Sequence, residues 1–276
     1  MSVEDMLNVG KNRSMITLRS QFKGAHVIFL VVHYNFECVR LTLLNILSII
    51  ESMDNTYLVL INSAASKKIT NYAHAIQSDK VDIVHLPINF GYNHSVNYYI
   101  RDFISAENLP KTIISLGADI LFLKDHLMQL IDAIAHLPRY GTLSLSYENN
   151  ACNPERNALK PRLVKGNNGR EYYIRHTFFC PVPGGIMGLR GDILNHDLNY
   201  ELFNPKFFPR RFLGVNPVGG ADASLYNALK HKYKVGYLAH TSALHMKSRT
   251  GDVLDIPQKW QLYIDKLQGL ESQLIK

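Results

Sequence analysis

The stretch TIISLGADILFL, Thr112 to Leu123, decides how this chain folds. Its first five residues are rich in apolar and β-branched types, as expected of a strand buried on both faces. Gly117 and Ala118 then break the run and leave one carboxylate, Asp119, just past the strand. Ligands of open α/β sheets bind beyond the carboxyl ends of the strands. Asp119 is therefore the first candidate functional residue.

Outward from this stretch the first half of the chain alternates. AHVIFLVV (25–32), TYLVLI (56–61) and VDIVHL (81–86) are strands, and helices are predicted over 38–51, 67–77, 95–105 and 125–136. Strands alternating with helices predict an α/β fold with a mostly parallel central sheet flanked by helices. The second half is less regular. Residues 147–170 are dense in Asn, Gly and Pro and predict a long loop, which in a compact domain is usually functional. After the Gly- and Pro-broken segment 180–194, a helix is predicted over 220–233, a strand over 234–240 and a terminal helix over 257–273. No linker divides the chain, so a single domain is expected.

Composition excludes several classes. Hydrophobic content of 46% with 19% charged residues is ordinary for a globular protein and argues against disorder. The first residues lack a signal-peptide pattern, and no apolar run is long enough to span a bilayer. Three widely spaced cysteines form neither a disulfide framework nor a zinc cluster, which suits free thiols in a cytoplasmic protein. The net charge of +7 is unevenly placed. Residues 1–154 carry 12 Lys/Arg and 13 Asp/Glu, whereas residues 155–249 carry 15 Lys/Arg against 6 Asp/Glu. The second half is expected either to meet something anionic or to present a solvated basic surface.

Other residues join Asp119 as candidates. NFGYNHSVN (89–97) follows the third strand and opens a helix, and Gly91 permits a tight turn there. Gly184-Gly185 would let backbone approach a substrate closely or would form a bulge. Asp222 lies at a helix start in a stretch (202–251) with no other Asp or Glu, where it serves as an N-cap or as a general base. GxGxxG, GxxxxGK[ST] and GxSxG motifs are absent, so dinucleotide, P-loop and hydrolase-elbow chemistry are unsupported.

In order and spacing, residues 26–248 resemble family-2 glycosyltransferases, which have the Rossmann-like type A nucleotide-sugar fold, and especially their rhamnosyltransferase-like branch. VVHYN (31–35) is similar to the opening strand and nucleotide-contacting turn, and Asn62 to the Asn after the second strand. NFGYNHSVN matches the Asn-x-Gly-Phe-x-x-Ala-x-Asn pattern at Asn89, Gly91 and Asn97. SLGADILFL resembles the Asp-x-Asp region, PGGIMGLRGDIL the acceptor-side glycine segment, GADASLYNAL the helix of the catalytic base, and LAHTSALH a histidine near the metal. Ile61, Gly117, Ala221 and Ser224 stand where the family has carboxylates.

The resemblance implies a donor half (about 25–146), an acceptor half (147–249) and a terminal helix (250–276). It implies a nucleotide-sugar donor held by His33, Tyr34, Asn35, Asn62, Asn89, Gly91, Asn97 and Asp119. It also implies a divalent cation, Mn2+ or Mg2+, on Asp119 and His245, an inverting transfer with Asp222 as base, and an acceptor near Gly184, Gly185, Arg210 and Arg211. With few carboxylates, Lys or Arg would help to neutralise the departing diphosphate. A surface polysaccharide or lipid-linked glycan is one expected acceptor. The cations among Asn and aromatic residues at 156–175 and 206–211 favour DNA carrying hydroxymethylated bases, as in phage-type DNA modification. An anionic membrane surface is the rival partner for those charges. A non-catalytic protein that binds a nucleotide sugar or a polyanion is the alternative from another class.

Overall fold

In the computed structural model, residues 18–32, 34–148, 160–177, 185–204, 206, 221–246 and 256–275 are described. β1 (His26–Val32), β2 (Thr56–Ser63), β3 (Val81–Leu86) and β4 (Thr112–Leu116) form a parallel array in the order β3-β2-β1-β4. All are near-continuous apolar runs except β3, which lies at the sheet edge. The helices that connect them are α1 (Phe36–Ile50), α2 (Lys67–His74) and α3 (Gly91–Phe103). This half has the α/β order expected from the sequence.

The sheet then continues as a mixed one. Beyond β4 come β9 (Ile186–Arg190), β6 (Tyr140–Tyr147), β10 (Lys234–His245), β8 (Glu171–His176) and the edge strand β7 (Arg162–Lys165). β9 runs antiparallel to β4 and β6, β6 and β10 are parallel, and β7–β8 form an antiparallel hairpin. The hairpin replaces the last part of the long loop expected over 147–170, of which residues 149–159 lie outside the described residues. Asn167, Asn168 and Gly169 are its turn, with Gly169 at φ +81°, and the flanking residues pair instead of wandering. Likewise, the glycine-broken segment after 184 holds β9, and β10 extends past the expected residue 240 to His245.

Helices cover both faces. α1, α2 and α4 (Lys124–His136) bury their apolar stripes on one face, and α3, α5 (Gly191–His196) and α6 (Ala221–Leu229) on the other. The C-terminal helix α7 (Gln258–Leu274) packs on α1 through Trp260, Ile264 and Leu267. Glu271 ties α7 down by accepting bonds from Arg40 Nη1 (2.6 Å) and Tyr72 Oη (2.8 Å).

Between β4 and α4 the chain makes its most constrained move. After Leu116 it reverses within three residues and returns as the short strand β5 (Ile120–Phe122), which pairs antiparallel to the end of β10. A three-residue strand gains little from its own ladder, and a side chain completes it. Asn45, fully buried on α1, accepts a bond from the Phe122 N–H (2.9 Å) and donates to the Phe122 carbonyl (2.9 Å) and to Tyr263 Oη (2.8 Å). Removing a partner strands buried backbone groups at about 1–3 kcal/mol each. Asn45→Leu is therefore expected to lower unfolding free energy by about 2–4 kcal/mol, readable from urea denaturation; a loss under about 0.5 kcal/mol would contradict this role.

Candidate active site

The strand order reverses between β1 and β4, because the chain goes outward through β2 and β3 before crossing back. The crevice beyond the ends of β1 and β4 is thus the switch point where such sheets bind ligands. Residues 34–35 leave β1 there, and residues 117–119 leave β4 beside them.

Asp119 is placed by main-chain bonds on both sides. Its carbonyl accepts from Met246 N–H (2.8 Å), and the Gly117 N–H donates to the Gly185 carbonyl (2.7 Å). These bonds join the end of β4 to the ends of β10 and β9. His245, opposite Ile120 in the β5–β10 pairing, brings its Nε2 to 3.7 Å from Asp119 Oδ2. Both side chains are partly open, at 19% and 22% exposure, so the pair can meet a ligand. Tyr34 is 53% exposed, and its phenol is held above its ordinary value by burial and then by the Asp119 carboxylate. The structure thereby brings Tyr34, Asp119 and His245 together.

The other motif residues have their side chains engaged within the fold. Asn35, at φ 53°, caps α1 by accepting from the Cys38 N–H (3.1 Å). Asn62 accepts from the Ala65 N–H (2.9 Å), donates to Thr70 Oγ1 (2.9 Å) and lies 3.0 Å from His85 Nδ1. Asn89 accepts from the Gly91 N–H (2.8 Å), and Gly91 opens α3 at φ +72°. Asn97 donates to the Phe203 carbonyl (2.9 Å) and accepts from its N–H (3.0 Å), a two-bond clamp that resembles a rung of a sheet. His33, Gly184, Arg210 and Arg211 lie outside the described residues.

Gly185 has an internal reason to be glycine. A Cβ there would lie 2.3 Å from Tyr147 Oη and 2.5 Å from Ile120 Cδ1. That space is filled by the protein, which gives a packing reason for glycine at 185. At the positions where the resemblance lacks carboxylates, Ile61 is fully buried in the apolar core, and buried Ser224 donates to the Asn204 carbonyl (2.9 Å).

Asp222 opens α6, and its orientation follows from packing. A Cβ on Gly141, at the start of β6, would meet Leu229 and Tyr233. The carboxyl end of α6 therefore lies at the amino end of β6, and Asp222 lies toward the opposite, ligand-binding end of the sheet. Its Oδ1 accepts from the Ala223 N–H (2.8 Å).

Three site residues escaped the sequence reading. Tyr92 donates to the Leu116 carbonyl (3.3 Å) and bonds Ser115 Oγ (2.5 Å), stitching α3 to the end of β4. Tyr147 packs edge-on against His245, with ring centroids 6.1 Å apart. Glu148 accepts from Trp260 Nε1 (2.9 Å) and Lys259 Nζ (2.6 Å). Burial alone would raise its pKa, but Lys259, Ser242 and Trp260 outweigh burial and hold it below the ordinary range. The alternation of YGTLSLSYE (140–148) was the available signal for a strand ending here.

Among the described residues no three His, Cys, Asp or Glu side chains converge as a metal cage. Asp119 and His245 nonetheless fit a cation that takes the rest of its ligands from phosphate and water, as Mg2+ does in nucleotide sites.

No protein-family model matches the sequence, and no curated protein matches it. Solved structures do match by shape. A mannosyltransferase from Pyrobaculum calidifontis, solved with GDP-Man and Mn2+, has a TM-score of 0.55 and 13% identity over 90% of this chain and 70% of its own. GalNAc-T7, solved with UDP, GalNAc and Mn2+, has a TM-score of 0.54 and 11% identity over 81% of this chain. S. aureus TarS (1–349) has 0.51 and 10% over 80% of this chain. The chain spans 44% of the GalNAc-T7 structure and 60% of the TarS structure. The chain thus has the type A nucleotide-sugar glycosyltransferase fold.

The clamp made by Asn97 separates scaffold from ligand contact. Asn97→Ala is expected to cost about 1–3 kcal/mol of stability, while changing the Kd for nucleoside diphosphate less than about twofold. A tenfold loss of nucleotide affinity with unchanged stability would make Asn97 a donor contact instead.

Proposed function

We propose that this protein is a nucleotide-sugar-dependent glycosyltransferase that inverts the anomeric carbon. The observation that carries the reading is the Asp119–His245 pair, 3.7 Å apart at the switch-point end of the sheet. Asp119 and His245 would hold Mn2+ or Mg2+, which when bound supplies positive charge to the leaving nucleoside diphosphate. The neighbours solved with Mn2+ and a nucleotide or nucleotide sugar support that assignment by analogy of fold. Tyr34 lines the donor side of the same crevice.

Asp222 is the base in this proposal. The acceptor oxygen bonds to the anomeric carbon as the bond to the diphosphate oxygen breaks, and Asp222 takes the hydroxyl proton. General-base catalysis contributes about 10²–10⁴ in rate. Asp222→Asn is accordingly expected to lower kcat by about that factor while leaving the Kd for nucleoside diphosphate unchanged. Near-full turnover in the folded variant would remove Asp222 from the role.

The acceptor we favour is DNA with hydroxymethylated bases. Its support is the exposed Lys160, Arg162 and Lys165 beside half-exposed Leu163 and Tyr173 on the β7–β8 hairpin. Arg170, by contrast, is bonded to Asp132 (3.1 Å), and the Arg175 guanidinium lies over the Tyr237 ring. Among the described residues no helix is long and apolar enough to cross a membrane. Nucleoside diphosphate release from a panel of sugar nucleotides, with and without hydroxymethylated DNA, tests transfer and acceptor together. Duplex binding is expected to fall steeply with salt, with a slope shallower by about 1 for each of Arg162→Glu and Lys165→Glu. Binding to anionic vesicles or a charged glycan, with none to DNA, would overturn this acceptor.

A further inference from the structure

Tyr147 packs against His245 and lies beside the main-chain bridge next to Asp119. Its ring lies edge-on to His245, at 6.1 Å and an interplanar angle of 67°. Its hydroxyl lies over Gly185, in the space a side chain at 185 would fill. The Gly185 carbonyl in turn accepts the Gly117 N–H (2.7 Å), two residues before Asp119. The ring therefore packs against the imidazole, while the hydroxyl only occupies the space beside the main-chain bridge.

Tyr147 is itself firmly set. It ends β6 opposite Ala243, where the β6–β10 register shifts. The shift is stabilised by side chains: Ser146 Oγ donates to the Leu238 carbonyl (2.6 Å), as does Thr241 Oγ1 (3.0 Å). The next residue, Glu148, is locked to α7 by Trp260 and Lys259. The tyrosine thus has strand pairing on one side and a charged, hydrogen-bonded anchor on the other.

We propose that Tyr147 is a positioning residue that orients His245 toward Asp119 and so sets the affinity of the site for its divalent cation. The proposal rests on the metal assignment above. Groups that orient metal ligands without touching the metal change affinity by about 10–100-fold when removed. The packing ring is the active part, so Tyr147→Phe should stay within about twofold of the parent and Tyr147→Leu should not.

The test is Mn2+ binding to the intact protein with UDP or GDP present, read from the electron paramagnetic resonance signal of free Mn2+, alongside melting curves. His245→Ala and Tyr147→Leu are each expected to weaken Mn2+ by about tenfold or more, with Tyr147→Phe near the parent. Where the leucine variant fails to fold, Gly185→Ala, whose methyl would lie 2.3 Å from the Tyr147 hydroxyl and 2.5 Å from Ile120 Cδ1, should weaken Mn2+, and adding Tyr147→Phe, which removes the first clash, should restore part of the affinity. Unchanged Mn2+ affinity in Tyr147→Leu or Gly185→Ala, with His245→Ala weakened, overturns the positioning role alone. Unchanged affinity in His245→Ala overturns the metal assignment and this inference together.

Discussion

The reversal after β4 is the constraint on which the site depends. A strand that ends in a crevice would ordinarily continue into a loop and a helix, leaving its last carboxylate on a flexible tether. Here the chain returns at once as β5 and must pair with β10, a strand from the far end of the sequence. The cost of the tight reversal is offset by four separate bonds: Gly117 N–H to the Gly185 carbonyl, Met246 N–H to the Asp119 carbonyl, and two between the Asn45 amide and the Phe122 main chain. Because these reach into β9, β10 and α1, Asp119 cannot shift without disturbing three elements. Main-chain pairing, more than attraction between the two side chains, places His245 beside it.

The same reversal gives a physical account of Gly117. A Cβ at that position would lie 3.2 Å from Asp119 Oδ1, 3.3 Å from Ile120 Cγ1 and 3.4 Å from the Gly185 carbonyl. Those are tight contacts, and a carboxylate there would add like-charge repulsion against Asp119. The packing that fixes one carboxylate leaves poor room for a second. Ile61 follows similar logic, since its side chain is spent on the apolar core beneath α3. That leaves Asp119 as the carboxylate of this turn.

How much of this was legible in the sequence differs between the two halves. β1, β2 and β4 announce themselves because strands buried on both faces are apolar at every position, and a helix separates each from the next. β7 and β8 are largely exposed or half-exposed and β9 is short and holds a glycine, so their local pattern is weak, whereas β6 is a buried eight-residue strand whose partners β9 and β10 lie far along the chain. The Asn-Asn-Gly at 167–169 was a hairpin turn in plain sight, but the exposed Arg162 and Lys165 on β7 made its flanks resemble loop. Asn45 carried a signal too: an asparagine inside an otherwise apolar helix calls for a buried partner, and that partner is the backbone of β5.

The asparagines of the motif teach a different lesson. Their spacing located the crevice, yet Asn35, Asn62, Asn89 and Asn97 each bond the main chain of a neighbouring turn. The side-chain oxygen of each such asparagine is occupied by a main-chain N–H of the protein. Its contribution is to fix the loop in advance, so that a ligand does not bear the entropy of ordering it. Among the described residues, Tyr34, Asp119 and His245 are the candidates brought together at the crevice. Under the proposed function, such a frame would suit a ligand that brings its own charge and metal ligands, as a diphosphate does.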